Sequence, residues 1–283
     1  MITRYNKPAM MQLLHILAPR SSKRKRWYNL VAQSNLLNFC LHYEQFRFIK
    51  ILKFQGMHMK YKKYWSRTRT SFPNDLKELI VEEMKEVDKE RGSKPFTQRG
   101  EWALKMYGCF NHEFKRSVKR DFDKSIITWH VATHICYHSG VHYNKANSRI
   151  ELSKLLSTYM MYLLVMRPHM LCITTSGIVF EHACTKLLEF LRTIPSIITE
   201  EAKASRMLRT YEFPKKSNSN RNKETMVTSK WHMLQHVNML AQKLMDKEDR
   251  WHIISSVWME MLSYAASNCS MDNHADQLRR VGD

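Results

Sequence analysis

From Leu152 to Leu164 the residues Leu152, Leu155, Leu156, Tyr159, Met160, Leu163 and Leu164 keep the i, i+3, i+4, i+7 spacing of one helix face without a miss. Met161, Tyr162 and Val165 carry apolar character round the rest of the cylinder. Such a helix must be enclosed by protein or lie against something apolar. Similar stripes recur at Leu76, Leu79, Ile80, Met84 and Val87, at Val227, Trp231, Leu234, Val237, Ala241 and Leu244, and at Ile254, Val257, Trp258, Met261, Leu262 and Ala265. Only 7 Gly and 7 Pro punctuate 283 residues, too few turn residues for a sandwich or barrel. The expected fold is mostly α, an irregular multi-helix bundle with no substantial sheet. Leu156, Met160, Leu163, Trp258, Met261 and Leu262 are expected to share one core.

Along the chain, Leu37, Cys40, Leu41, Phe48, Ile51 and Leu52 suggest one helix from Trp27 to about Phe54, ended by Gly56. Residues 57–72 read as a basic, aromatic loop. After Pro73 the next helix sets its apolar stripe opposite Glu82, Glu83, Lys85, Glu86 and Lys89, and Gly92 and Pro95 stop it. Single helices are expected over Thr97–Lys119 and over Asp121–Tyr137, the latter capped by Asp121 or Asp123. Residues 140–149 read as a polar loop, and further helices are expected near 180–193 and 197–211. The polar stretch 213–224 reads as a mobile loop. The division that follows is a basic N-terminal arm with one helix over 1–72 and a helical domain over 73–283.

Charge separates those two parts. Residues 1–70 hold 15 of the 46 Lys and Arg, and Glu44 is their single acid out of 26. Such asymmetry points to an anionic partner, not to a fold. The compact clusters are Lys23, Arg24, Lys25 and Arg26, then Lys60, Lys62, Lys63, Arg67 and Arg69, the second interleaved with Tyr61, Tyr64 and Trp65. These nine basic residues are the candidate anion- or lipid-binding set. Lys and Arg gain about 1 kcal/mol each near an anionic leaflet, and Trp and Tyr favour its interface. The same composition suits single-stranded nucleic acid or nuclear import. No stretch reads as a membrane span, because Arg167, Pro168 and His169 interrupt the best candidate, Leu155–Cys172. The six Cys form no C-x-x-C pair and fit reduced, mostly buried thiols of an intracellular protein.

Catalytic patterns are missing. The sequence has no G-x-S-x-G, no P-loop and no dinucleotide fingerprint. His130, His134, His138 and His142 recur at i+4 steps. Two such His on one helix face can hold a metal, but Val131 stands where a metalloprotease needs Glu. The expectation is a half-buried, hydrogen-bonded His130 with surface histidines after it, and no metal on the His130/His134 pair. Trp258, Glu260, Tyr264, Cys269 and His274 hold atoms suited to acid–base work, but Glu260 is expected to face the polar side. Neither a cofactor nor an enzymatic activity is expected.

Three stretches carry a family resemblance: "DFDKSIITWHVATHICY" (121–137), "ELSKLLSTYMMYLLVMRPHML" (151–171) and "VWMEMLSYAASNCSMDNHADQLRRVGD" (257–283). "NLLNFCL" (35–41) and "RGEWAL" (99–104) add weaker support. Together they resemble the plant proteins built on domain of unknown function 594. The resemblance implies a plant source, no established activity and no catalytic residue to carry over. It implies relatives with spanning helices ahead of this region, in a part called domain of unknown function 4220, and another apolar helix after "QLRR". Against that pattern the chain is a shortened member or an incomplete gene model. His134 stands where the relatives usually have an acid, and Asp276 where they usually have Gln. The functional expectation is a non-enzymatic helical interaction module with a membrane-apposed basic arm. The alternatives are a nucleic-acid-binding or nuclear protein using the same arm, or a degenerate gene fragment.

Overall fold

The computed structural model describes residues 30–43, 67–71, 73–91, 97–139, 148–194, 200–211 and 231–269. In chain order the elements are β1 (Leu30–Ser34), α1 (Leu36–Tyr43), β2 (Arg67–Ser71), α2 (Asn74–Arg91), α3 (Glu101–Met106), α4 (His112–Lys119), α5 (Phe122–Ser139), α6 (Ser148–Met166), a 3-10 turn (Pro168–Leu171), α7 (Ser176–Thr193), α8 (Glu201–Thr210), α9 (Met233–Met245) and α10 (Arg250–Asn268). The fold is mostly α: ten α-helices and one two-stranded antiparallel sheet among the described residues.

Two helices form the centre, and their composition explains why. Helix α5 is buried along nearly its whole length from Phe122 to Cys136, and α6 from Ile150 to Val165. They pack on each other. Around α5 sit α4, α7, α8 and α9, and around α6 sit β1, α2, α7 and α10. Side chains that are apolar on every face demand such enclosure. Three hydroxyls inside this core turn back on their own helices: Thr128 donates to the Lys124 carbonyl, Thr133 to that of Trp129 and Ser153 to that of Arg149. Two buried indoles also find acceptors, Trp258 on Thr133 Oγ1 at 3.1 Å and Trp129 on Ser117 Oγ at 3.1 Å. Leu156, Met160, Leu163, Trp258, Met261 and Leu262 all fall in this one buried cluster.

The N-terminal stretch departs from expectation. Residues 30–34 are a strand, not part of a helix beginning at Trp27. They pair with residues 67–71, which the sequence suggested were loop, in the register Leu30↔Ser71 to Ser34↔Arg67. The strand lies on α6, and α1 packs on α7 and α8. Val31, Leu36, Leu37, Phe39, Cys40 and Leu41 belong to the same buried cluster as the later helices. A division at residue 72 therefore does not follow the packing: this part of the basic region supplies core. The expected helical positions Phe48, Ile51 and Leu52, and the expected loop at 213–224, lie outside the described residues.

Other boundaries moved for local reasons. The single helix expected over Thr97–Lys119 is two, because Gly108 at φ +61° turns the chain out of α3. Asn111 then restarts it, its side chain accepting from the Phe114 N–H at 3.2 Å. Gly100 precedes α3 at φ +110°, and a Cβ there would meet Val118 and Val257 at 3.0 Å. Backbone conformation and space both require glycine. Arg149, expected in a loop, is the second residue of α6.

Candidate functional site

The helix starts explain where the buried polar groups sit. Asn35 precedes α1, and its Oδ1 accepts from the Asn38 N–H at 3.1 Å. The Leu36 N–H, inside the first turn, is met by His130 Nε2 at 3.2 Å. That bond fixes the imidazole state. Nε2 must accept, so the ring is neutral and its proton is on Nδ1, facing Ser157 Oγ at 2.9 Å. Burial, then the neighbouring His134, pushes His130 well below the ordinary histidine value. His130 is fully enclosed rather than half-buried, and it closes the end of another helix.

One turn along α5 the environment changes. His134 is 1% exposed, so it is no surface residue. Its Nδ1 lies 2.5 Å from Oε1 of Glu201, at the start of α8. His138 Nε2 is 3.3 Å from the same oxygen, and Asn35 Nδ2 donates to it at 2.8 Å. Burial alone would raise Glu201, but His134, then the close His138 and Asn35, hold its carboxyl well below the usual carboxylate range. Three elements remote in sequence thus meet at one carboxylate. Sequence reading found His134 and His138 and missed Glu201. Its single signal was an acid in the first turn of a helix, and many solvated acids share that.

Three buried acids, Glu260, Glu83 and Asp123, are engaged elsewhere in the core. Glu260 on α10 is 2% exposed and accepts from the N–H groups of Trp102 at 3.4 Å and Ala103 at 2.9 Å. It satisfies the first turn of α3, so the polar-side placement expected for it is wrong: α10 is enclosed, and a helix N-terminus supplies the polar partner. Glu83 on α2 is buried and paired with Arg149, which also reaches Ser255 Oγ at 3.3 Å. It too was expected on the solvent face. Asp123 is 1% exposed; its Oδ2 accepts from Thr175 at 2.6 Å, before α7. An open cleft of about 600 Å³ lies beside it, lined by Arg99, Lys124, Cys172 and Tyr264 among others. Cys172 is the exposed thiol of the six free cysteines, and burial pushes Cys136 up to about 12.

The proposed anion-binding residues are not part of this arrangement. Lys23, Arg24, Lys25, Arg26, Lys60, Lys62 and Lys63 lie outside the described residues. Arg67 and Arg69 are placed by their backbone in β2, opposite Ser34 and Ala32.

Residues 243–283 match the model of a family described as "Protein of unknown function, DUF594". This segment is similar to the DUF594 family. The match covers the end of α9, all of α10 and the residues beyond it. Trp258 and Glu260, which fix α10 to α5 and α3, lie inside the DUF594 segment. No curated protein and no solved structure matches the chain. No described helix is long and apolar enough to cross a membrane.

Proposed function

We propose that this protein is a non-enzymatic helical interaction module that docks on an anionic membrane surface inside the cell through its basic N-terminal region. The segregation of charge carries the reading: 15 Lys and Arg against one acid within residues 1–70. The β1–β2 ladder supports it. Residues 44–66, which include Lys60, Lys62 and Lys63, are flanked by α1 and β2, both tied to the folded core. The engagement of buried acids supports the non-enzymatic half. Glu260 and Asp123 are bonded at the starts of helices, and Glu83 is paired with Arg149.

The test is sedimentation of the full chain with vesicles of phosphatidylcholine alone and with added phosphatidylserine. Binding is expected only to the anionic vesicles. It should weaken steeply as salt rises, since attraction falls off within about 8 Å at physiological ionic strength. Replacing Lys23, Arg24, Lys25 and Arg26 by Ala should weaken it without lowering the melting temperature. On vesicles the fluorescence of Trp65 should shift to the blue. Tight RNA binding that depends on Tyr61, Tyr64 and Trp65, with no response to phosphatidylserine at low salt, would replace the membrane reading by a nucleic-acid one.

A further inference from the structure

We infer that His134, His138 and Glu201 form a binding site for a divalent transition metal of the zinc class, clamping α5 to α8. The donor set is two imidazoles and one carboxylate, which suits zinc with a fourth position left for water. One ligand atom from each residue lies within 4.8 Å of the others. The histidines are an i, i+4 pair at the end of α5, so they share a face.

The distances sharpen the case. His138 Nε2 is buried and 3.3 Å from Glu201 Oε1, yet it makes no hydrogen bond. Two ligands of one tetrahedral zinc at about 2.0–2.1 Å stand about 3.3 Å apart. The His134–Glu201 contact, at 2.5 Å, instead holds a proton between nitrogen and oxygen. A cation entering the site takes that proton's place on Nδ1, the two atoms separate by under about 1 Å, and the ring proton passes to Nε2, so that His134 binds as a neutral imidazole.

The surroundings fit a liganding carboxylate. Asn35 donates to Glu201 Oε1 through Nδ2, and its other amide atom is fixed by capping α1. Metal-bound carboxylates are held in this way by outer hydrogen bonds. His130 is excluded as a ligand, because Leu36 and Ser157 occupy both its nitrogens. The pair that sequence spacing singled out is therefore shifted by one turn. Entry is open: the side chains of His138 and Glu201 are 18% and 20% exposed.

The experiment is calorimetric titration of the full chain, stripped with chelator, with zinc chloride at about pH 7.5. One equivalent should bind, with a rise in melting temperature. His138→Ala and Glu201→Gln should each weaken binding at least tenfold while keeping the helical circular dichroism spectrum. His138 is the safer change because it is partly exposed. An absence of zinc binding by the wild type overturns the assignment. So does zinc binding that His138→Ala leaves unchanged, for instance at the His232/His236 pair at the start of α9.

Discussion

Glu201, half-buried, and Glu260, buried, each fasten one helix to another, but they do it with different partners. Glu260 takes backbone N–H groups at the start of α3. Those donors keep their protons at any pH near neutral. Glu201 takes two imidazoles and an amide from α5 and the start of α1. Its partners are side chains that packing has to bring together. The α3–α10 contact is built on backbone, and the α5–α8 contact on side chains.

Substitutions can break this contrast at its strong end first. Trp258→Ala on α10 should cost about 3–5 kcal/mol, because a fully buried indole and its bond to Thr133 are lost together. A small change in the denaturation midpoint would remove α10 from the centre of the core. Glu260→Gln should cost about 2–3 kcal/mol, since one acceptor becomes a donor that faces backbone N–H groups. Glu201→Gln should cost about 1–2 kcal/mol, because Gln keeps an acceptor for Asn35 and His134 and loses only the charge. Urea denaturation of the two Gln variants in chelator compares them directly. An inverted order would mean that the α5–α8 contact carries more of the fold than α3–α10.

The smallest expected effect is the pH slope. A histidine whose folded value is depressed leaves the unfolded chain binding more protons, so stability falls as pH drops below the unfolded value of about 6.5. His130 is such a group, and His236, lowered to about 3 by burial and then Arg120 and Arg116, acts in the same direction. Each contributes up to about 1.4 kcal/mol per pH unit below that point. Glu201, depressed in the folded state, adds a loss that begins only below its unfolded value of about 4.3. Melting of the chelated protein between pH 7.5 and 5.5 should show the first loss, and His130→Gln should flatten it. An unchanged slope would mean that His130 is protonated in the fold, which its bond from Leu36 forbids.

The residues that gave away the fold were those with local spacing. Leu152 to Leu164 and Ile254 to Ala265 announce helices whatever surrounds them, because 3.6-residue periodicity is a property of consecutive positions. The uniform apolarity of α6 also announced a central place. The seam around Glu201 was half legible. The i+4 histidines were visible, but whether they faced solvent or core depended on α5 being enclosed on all sides. Their stripe has no preferred face to show this.

Sequence alone therefore determined the helical class, the main apolar stripes, the buried core residues of α6 and α10, and the concentration of basic charge before residue 71. Tertiary structure decided the rest. Residues 30–34 became a strand only because residues 67–71 are there to pair with them. Glu83 and Glu260 turned inward only because Arg149 and the start of α3 await them. Glu201 met His134, 67 positions away, through packing of α8 on α5. Burying a carboxylate is unfavourable until its partners are in place. Which acids go inside is thus a property of the assembled helices, and no single helix carries that information.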